Sequence, residues 1–186
     1  MPSNKFDAQP VLAGSTLIVR PLVRDDNAGL YDAASDPEIW AGHPSKDRYK
    51  REIFQPYFDF LVDSGTALVV VERVTNRIIG CSRYYVAPDQ PDSMSIGFTF
   101  LARSHWGGET NLELKRLMLG HAYEMFSDVW FHIGPSNIRS QKATAKLGAK
   151  FMYEAELDIS GSPTKWMCFK LTNEAWNSAL EAAKPA

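Results

Sequence analysis

Ser93-Met-Ser-Ile-Gly-Phe-Thr-Phe-Leu101, followed by Ala102-Arg-Ser-His-Trp-Gly-Gly-Glu-Thr-Asn111, is the stretch that organises the chain. Its first half alternates: Met94, Ile96, Phe98 and Phe100 face one way, Ser93, Ser95, Gly97 and Thr99 the other, which predicts a strand. Beyond it, Leu114, Leu117, Met118, Ala122, Met125 and Phe126 recur at one face of a helix. Between strand and helix stands the pair Gly107-Gly108, where the backbone turns with its amides exposed. Unpaired amides and the positive end of a helix dipole together form an anion site suited to phosphate or pyrophosphate. Arg103 and Arg116 stand at its edges. No Gly-Lys-Ser/Thr follows and the G-x-G-x-x-G spacing is missing, so this is neither a P-loop nor a dinucleotide fingerprint. A plain strand-to-helix turn explains the glycine pair equally well.

Working outward, residues 1–16 read as a polar arm before Leu17–Pro21, a short β-rich run. Asp25–Ala34 reads as a helix, Trp40–Asp47 as a loop broken by Gly42 and Pro44, and Arg48–Ser64 as an amphipathic helix. Strands are expected at Ala67–Glu72, Ile78–Val86 and, after a loop over Pro88–Asp92, Ser93–Leu101. Past the long helix come a strand at Val129–Ile133 and a helix over Ser136–Leu147, with Ser136 placed to cap it and Gly148 to end it. Strands at Phe151–Leu157 and Lys165–Leu171 and a closing helix over Thr172–Ala183 complete a mixed α/β domain spanning 17–186. No repeat or linker divides it.

Composition narrows the function. The 186 residues are 45% hydrophobic and 23% charged, the balance of a folded globular chain rather than a disordered or fibrous one. Twenty basic against 22 acidic residues leave a net charge of −2, which gives no electrostatic reason to expect nucleic acid or an anionic membrane as partner. No apolar run approaches the roughly 20 residues that span a bilayer. The opening residues carry no secretory leader pattern, and two cysteines far apart show no metal-type spacing. A cytoplasmic protein without a bound metal is the expectation.

Asn137-Ile-Arg-Ser140 opens the helix after the Val129–Ile133 strand. An asparagine there caps the helix locally, or its amide, both donor and acceptor, holds an amide-containing ligand. Lys142 and Lys146 meet a phosphate or simply face water. Taken together, Ser95-Ile-Gly-Phe-Thr-Phe-Leu101, Arg103–Asn111, and Asn137-Ile-Arg-Ser140 through Lys146-Leu-Gly148 resemble the core of the GNAT superfamily of N-acetyltransferases. Within it the likeness is to the branch that includes the ribosomal-protein N-terminal acetyltransferases. It runs from Leu17 to about Leu171 and includes the Leu-Ile-Val-Arg-Pro opening.

The resemblance implies a mostly antiparallel, splayed sheet flanked by helices and acetyl-CoA as co-substrate. By position, the backbone at Phe98, Thr99 and Phe100 would meet the pantetheine arm. Arg103, Ser104, His105, Trp106, Gly107, Gly108, Glu109, Thr110 and Asn111 would form the pyrophosphate loop, and Asn137 and Ser140 the polar pair beside it. The thioester would sit where the two central strands part, attacked directly by a primary amine, on a small molecule or a protein, in a ternary complex. A backbone N–H near Phe98 would donate to the developing oxyanion. A dimer is compatible with this reading.

The chain departs from the family at both acid–base positions. Where many members of the branch carry a glutamate, Ser95 stands, and it could hold a water. Where many carry a tyrosine, Thr144 stands. His43, in the loop that lines the acceptor site in related proteins, is then the candidate base. His105 is expected to shape the cofactor loop, and His121, on the inward face of the long helix, to be a core histidine. Trp40, Trp106 and Trp130 are expected to pack rather than to recognise a ligand. A GNAT-like domain that binds acyl-CoA as a sensor, with little catalysis, is the alternative that these departures keep open.

Overall fold

A computed structural model of the chain describes residues 5–182. Its strands are β1 (Leu12–Ala13), β2 (Leu17–Pro21), β3 (Ala67–Glu72), β4 (Ile78–Ala87), β5 (Gln90–Leu101), β6 (Asp128–Ile133), β7 (Lys150–Asp158) and β8 (Pro163–Thr172). Its α-helices are α1 (Asn27–Ala34), α2 (Arg51–Asp63), α3 (Thr110–Ala122), α4 (Ile138–Lys146) and α5 (Asn173–Ala182). The strand order is β1-β2-β3-β4-β5-β6-β8-β7. Every strand pair whose register is defined runs antiparallel except β5–β6, which is parallel. The expected mixed α/β fold with a mostly antiparallel sheet is what the chain adopts.

The chain divides into two compact units, one of Met1–Ala41, Ser45–Tyr84 and Phe98–His121, the other of Gly42–Pro44, Tyr85–Gly97 and Ala122–Ala186. Strands β4 and β5 each contribute residues to both. In the first unit, β3 reads as five successive buried residues before Glu72: Ala67, Val69 and Val71 pack with the helix side chains on one face, and Leu68 and Val70 are buried on the other. Phe54, Phe58 and Leu61 of α2 join Leu30, Trp40, Val69 and Val71 in its core. In the second unit, β6–β8–β7 buries Trp130, Leu157 and Cys168 together, with Tyr153 and Trp166 packed alongside.

Several boundaries move from their expected places, each for a physical reason. The arm over 1–16 is not merely loose: among its described residues, Phe6 stacks on Tyr84 at 5.1 Å and on His121 at 4.9 Å. His121 is therefore not a core histidine; its Nε2 lies 2.8 Å from the carbonyl of Asp7, so it ties the arm down. Helix α3 stops at Ala122, and Met125 is exposed, so the helical spacing of Met125 and Phe126 with Leu114 does not signal helix. The cap of α4 is Asn137, whose Oδ1 accepts the Ser140 N–H at 3.2 Å, while Ser136 donates to the Gly42 carbonyl. Residues 88–92 are a tight Pro88-Asp89 turn with β5 starting at once, rather than a loop. Of the closing helix, Ala183 lies outside the described residues.

Alternation along β5 also fails as a guide to its exposure. Met94, Ser95 and Ile96 are all buried, so both faces are covered there. Phe98 takes a φ of 54°, in the left-handed region that a bulky residue avoids, so the backbone of β5 departs from regular extended geometry at that point. The ring of Phe98 sits 5.6 Å from that of Phe60, with the Arg83 guanidinium 5.0 Å above it. None of the described helices is long and apolar enough to cross a membrane.

Candidate functional site

The strand-to-helix turn of the first unit has the form the sequence predicts. Arg103–His105 make one 3-10 turn, Trp106 follows extended, and α3 begins at Thr110. Gly107 has a φ of 74°, a conformation that asks for glycine. A Cβ built at Gly107 or at Gly108 meets nothing within 4 Å, so the loop presents open backbone on that side. Of the two arginines expected at its edge, Arg103 is engaged within the fold, paired with Asp36 at 3.5 Å, and His105 within the loop faces Glu72 at 3.4 Å. Ser104 is 3.0 Å from His105 Nδ1, and Trp106 Nε1 donates to the Leu101 carbonyl. Backbone and helix terminus, more than side-chain charge, are what this loop offers an anion. Glu109 accepts the Glu113 amide in the first turn of α3, beside Thr110 and Asn111.

Within β5, Thr99 Oγ1 lies 2.7 Å from the Ser82 hydroxyl and accepts from Lys115 Nζ at 3.2 Å. Phe100 is in the core against Trp40, with ring centroids 5.1 Å apart. Phe98 keeps its carbonyl within 3.4 Å of the Cys81 thiol. Lys115 is buried, and burial pushes its ammonium down to about 8.

The second unit holds the other candidates. Parallel pairing of β5 with β6 is defined over two rungs, Met94 with Val129 and Ser95 with Trp130. Ser95 is fully buried and its Oγ has no hydrogen-bond partner among the described residues. Asn137 and Ser140 form the cap of α4. The 42–44 segment carrying His43 lies along the β6–α4 junction, with Gly42 near Asn137 Oδ1 and Pro44 against Gly134. Trp40 is in the first unit's core and its Nε1 donates to the Ala34 carbonyl, and Trp130 Nε1 donates to Asp128, so both pack as expected.

A cluster that sequence reasoning missed lies beside these. His132 on β6 pairs with Cys168 on β8, and Cys168 pairs with Tyr153 on β7, so the three share one rung and one face. Asp89, from the β4–β5 turn, adds its carboxylate. Tyr153 donates to Asp89 Oδ2 at 2.7 Å, and the Cys168 thiol lies 3.9 Å from the same oxygen. The other oxygen, Oδ1, faces His132 Nε2 at 3.4 Å, and neither atom completes a well-formed hydrogen bond. On its far side His132 Nδ1 meets the Tyr85 hydroxyl at 2.9 Å. Burial holds His132 below its ordinary pKa, with Asp89 opposing, and pushes the Tyr153 hydroxyl and the Cys168 thiol up to about 12.

Asp89, His132 and Cys168 offer three ligand atoms within 4.8 Å of one another, a donor set of the kind that holds zinc. The hydrogen bonding favours a proton network instead. Two donors already converge on one carboxylate oxygen, and the thiol is held protonated. One signal was available in the sequence: a histidine inside the apolar run Val-Trp-Phe-His-Ile must find a buried partner.

The model of a family described as an acetyltransferase (GNAT) domain matches residues 16–150. No curated protein matches the chain in sequence. Among solved structures, a GCN5-related N-acetyltransferase from Brucella melitensis superposes with a TM-score of 0.77 at 14% identity, covering 96% of this chain and 85% of that one. RimJ from Mycobacterium smegmatis, in complex with CoA-disulfide, gives 0.61 at 18%, over 89% of this chain and 88% of that one. The aminoglycoside acetyltransferase AAC(6')-Ib, in complex with coenzyme A and kanamycin, gives 0.61 at 16%, over 88% and 98%. At these identities the likeness speaks for the fold.

Proposed function

The chain belongs to the GNAT acetyltransferase domain family, and on that premise we propose that it is an N-acetyltransferase moving the acetyl group of acetyl-CoA to a primary amine by direct attack in a ternary complex. The observation that carries the reading is the Gly107-Gly108 turn, which leads open backbone into the N-terminus of a 13-residue helix. Amides from Ser104 to Thr110 would hold the pyrophosphate, the backbone of Phe98–Phe100 the pantetheine arm, and Asn137 and Ser140 the polar edge. The left-handed φ at Phe98 fits a strand that turns an amide toward a ligand rather than toward its neighbour. Acetyl-CoA supplies the activated acyl group; the chain supplies position, a hydrogen-bond donor to the oxyanion, and a path for the amine's protons.

Two solved neighbours carry CoA or a CoA derivative, and one also carries an aminoglycoside, which supports an amine acceptor without naming it. Motif likeness to the ribosomal-protein N-terminal acetyltransferases makes a protein N-terminus one acceptor to try first. Both cysteines are buried and free, in keeping with a cytoplasmic enzyme.

Gly108→Val tests the cofactor assignment. The new side chain meets open space within the protein, so the fold is expected to survive. Acetyl-CoA binding measured by calorimetry is expected to weaken by about 1–3 kcal/mol, the cost of a lost charge-assisted contact. Unchanged affinity in the folded variant overturns the assignment. Asn137→Ala separates cap from ligand contact: loss of the Ser140 bond alone costs about 1 kcal/mol of stability. We expect in addition a raised KM for acetyl-CoA; a lower melting temperature with unaltered kinetics reduces Asn137 to a cap. An acceptor screen read as free CoA then identifies the amine, and acetyl-CoA binding without CoA release from any amine returns the chain to an acyl-CoA sensor.

A further inference from the structure

Acetyl transfer to an amine leaves a question that Ser95 and Thr144 do not answer: what takes the protons. The geometry points to the Tyr85 hydroxyl as the group that takes them, passing them to His132, with Asp89 fixing that imidazole. This rests on the acetyltransferase reading above and deepens it.

Four observations carry it. First, His132 Nδ1 meets the Tyr85 hydroxyl at 2.9 Å while its Nε2 faces Asp89 Oδ1 at 3.4 Å. A carboxylate facing Nε2 places the ring proton there, which leaves Nδ1 as the acceptor for the tyrosine hydroxyl. The order hydroxyl, imidazole, carboxylate is that of an activated nucleophile or base, here with the two nitrogens exchanged. Second, Asp89 is itself fixed: Tyr153 donates to its other oxygen, and Gln90 donates to Tyr153 at 2.8 Å. Third, the Tyr85 ring lies against Gly97 of β5. A Cβ at Gly97 would meet Tyr85 Cε1 at 2.9 Å and its hydroxyl at 3.2 Å, so a bare glycine is what lets the phenol reach the strand. Gly97 stands two residues beyond Ser95, the last rung of the defined β5–β6 pairing, on the strand that the acetyltransferase reading above assigns to the cofactor. Fourth, Ser95, two residues back and hence on the same face of β5, is buried with an unsatisfied hydroxyl. A buried polar atom left without a partner on this strand face is the kind of cost that native folds keep at functional positions.

The groups around His132 are Tyr85 from β4, Asp89 from the turn, Cys168 from β8 and Tyr153 from β7; Asp89 is the one carboxyl group among them. Burial keeps the imidazole neutral in the working range, ready to accept. The substrate ammonium gives its first proton to Tyr85 as the phenolic proton moves to His132 Nδ1, and this proton returns to solvent. The neutral nitrogen then attacks the thioester carbonyl carbon, forming the C–N bond as the carbonyl π pair moves to oxygen. The second N–H proton takes the same path. The C–O pair reforms the carbonyl, the C–S bond breaks, and the departing thiolate takes that proton, giving amide and CoA thiol. Tyrosine stays neutral throughout, since it accepts as it donates.

Tyr85→Phe, His132→Gln and Asp89→Asn in the full chain test it, with acetyl-CoA and the best primary amine from the acceptor screen. Tyr85→Phe is expected to lower kcat about 100-fold or more while the Kd for acetyl-CoA stays within twofold. With hydroxylamine, already neutral at pH 7.5, its loss is expected to be under tenfold. The wild-type rate is expected to fall more steeply below pH 6.5 than the acceptor's own titration requires, and His132→Gln to abolish that limb. Asp89→Asn is expected to shift the limb, and imidazole NMR of the wild type to show the Nε2–H tautomer. Any of these results overturns the inference: Tyr85→Phe turning over the amine within threefold of wild type; His43→Ala losing two decades while Tyr85→Phe loses none, which makes His43 the base; or one zinc per chain with activity lost to a chelator, which makes the cluster a metal centre. A wild type that binds acetyl-CoA but acetylates neither amine nor hydroxylamine also overturns it, whereas absent acetyl-CoA binding fails the underlying reading.

Discussion

Gly80→Ala is expected to lower the stability of the protein by about 3 kcal/mol or more, although it adds a single methyl group. Gly80 sits inside β4, opposite Val70 of β3. A Cβ there would fall 2.1 Å from the Phe100 carbonyl oxygen and 3.0 Å from Leu101 Cα. Both are backbone atoms of β5, so no rotamer change relieves the clash. The Ala102 amide, which donates to the Ile79 carbonyl at 2.7 Å, must move as well. Overpacking usually costs about 1–3 kcal/mol, and more when backbone has to yield. At roughly 2–4 °C per kcal/mol for a chain of this length, the melting temperature should fall by about 6–12 °C. Gly120→Ala is the control, because its Cβ meets nothing within 4 Å on helix α3, where alanine is favoured by about 1 kcal/mol. Opposite shifts for the two variants, read by thermal melting, check the claim; equal shifts refute it.

That contrast shows where the sequence is readable. Local pattern located β3, β4, β5 and α2, because an apolar run, an alternation or a helical spacing is contained within each segment, even where, as in β5, it does not set which residues are buried. It mistook the end of α3, since Met125 keeps helical spacing after the chain has turned. A glycine inside a strand signals close backbone approach, but which backbone approaches Gly80 or Gly97 depends on pairing that spacing does not encode. The cofactor loop was legible for the opposite reason: a glycine pair, a strand before it and a helix after it are contiguous. Even there the side chains of Arg103 and His105 are spent on Asp36 and Glu72, partners 67 and 33 positions away.

The proton network was illegible because its members come from four strands and a turn. Asp89, His132, Tyr153 and Cys168 have no sequence spacing in common; a rung across β6, β8 and β7 puts three of them on one face, and the β4–β5 turn delivers the fourth. Missing Glu and Tyr at the family positions read as a deficit. In the fold, Ser95 sits at the last defined β5–β6 rung and His132 two residues beyond its partner Trp130, each with a buried polar atom that lacks a hydrogen bond.

Lys115 gives the second large effect, and its sign depends on pH. Its ammonium is buried on α3 with Nζ donating to Thr99, and desolvation lowers its pKa from about 10.5 to about 8. In the unfolded chain the same amine keeps a pKa near 10.4. Between these values the unfolded state binds more protons than the folded one, so unfolding free energy rises with pH from about 8 to about 10.4 and is flat on either side. The full difference corresponds to about 3 kcal/mol, at 1.36 kcal/mol per unit. Lys115→Met keeps the apolar stem and removes the buried charge, so at pH 7 the variant should be more stable by about 2–3 kcal/mol, part of the gain being offset by the lost Thr99 bond. Above pH 10 the wild-type amine is neutral in the fold at little cost, and the two midpoints should converge. Urea denaturation of both proteins at pH 7, 9 and 10.5 measures the gap directly. A variant less stable than wild type at pH 7 would mean that the ammonium is held by its surroundings rather than merely enclosed by them.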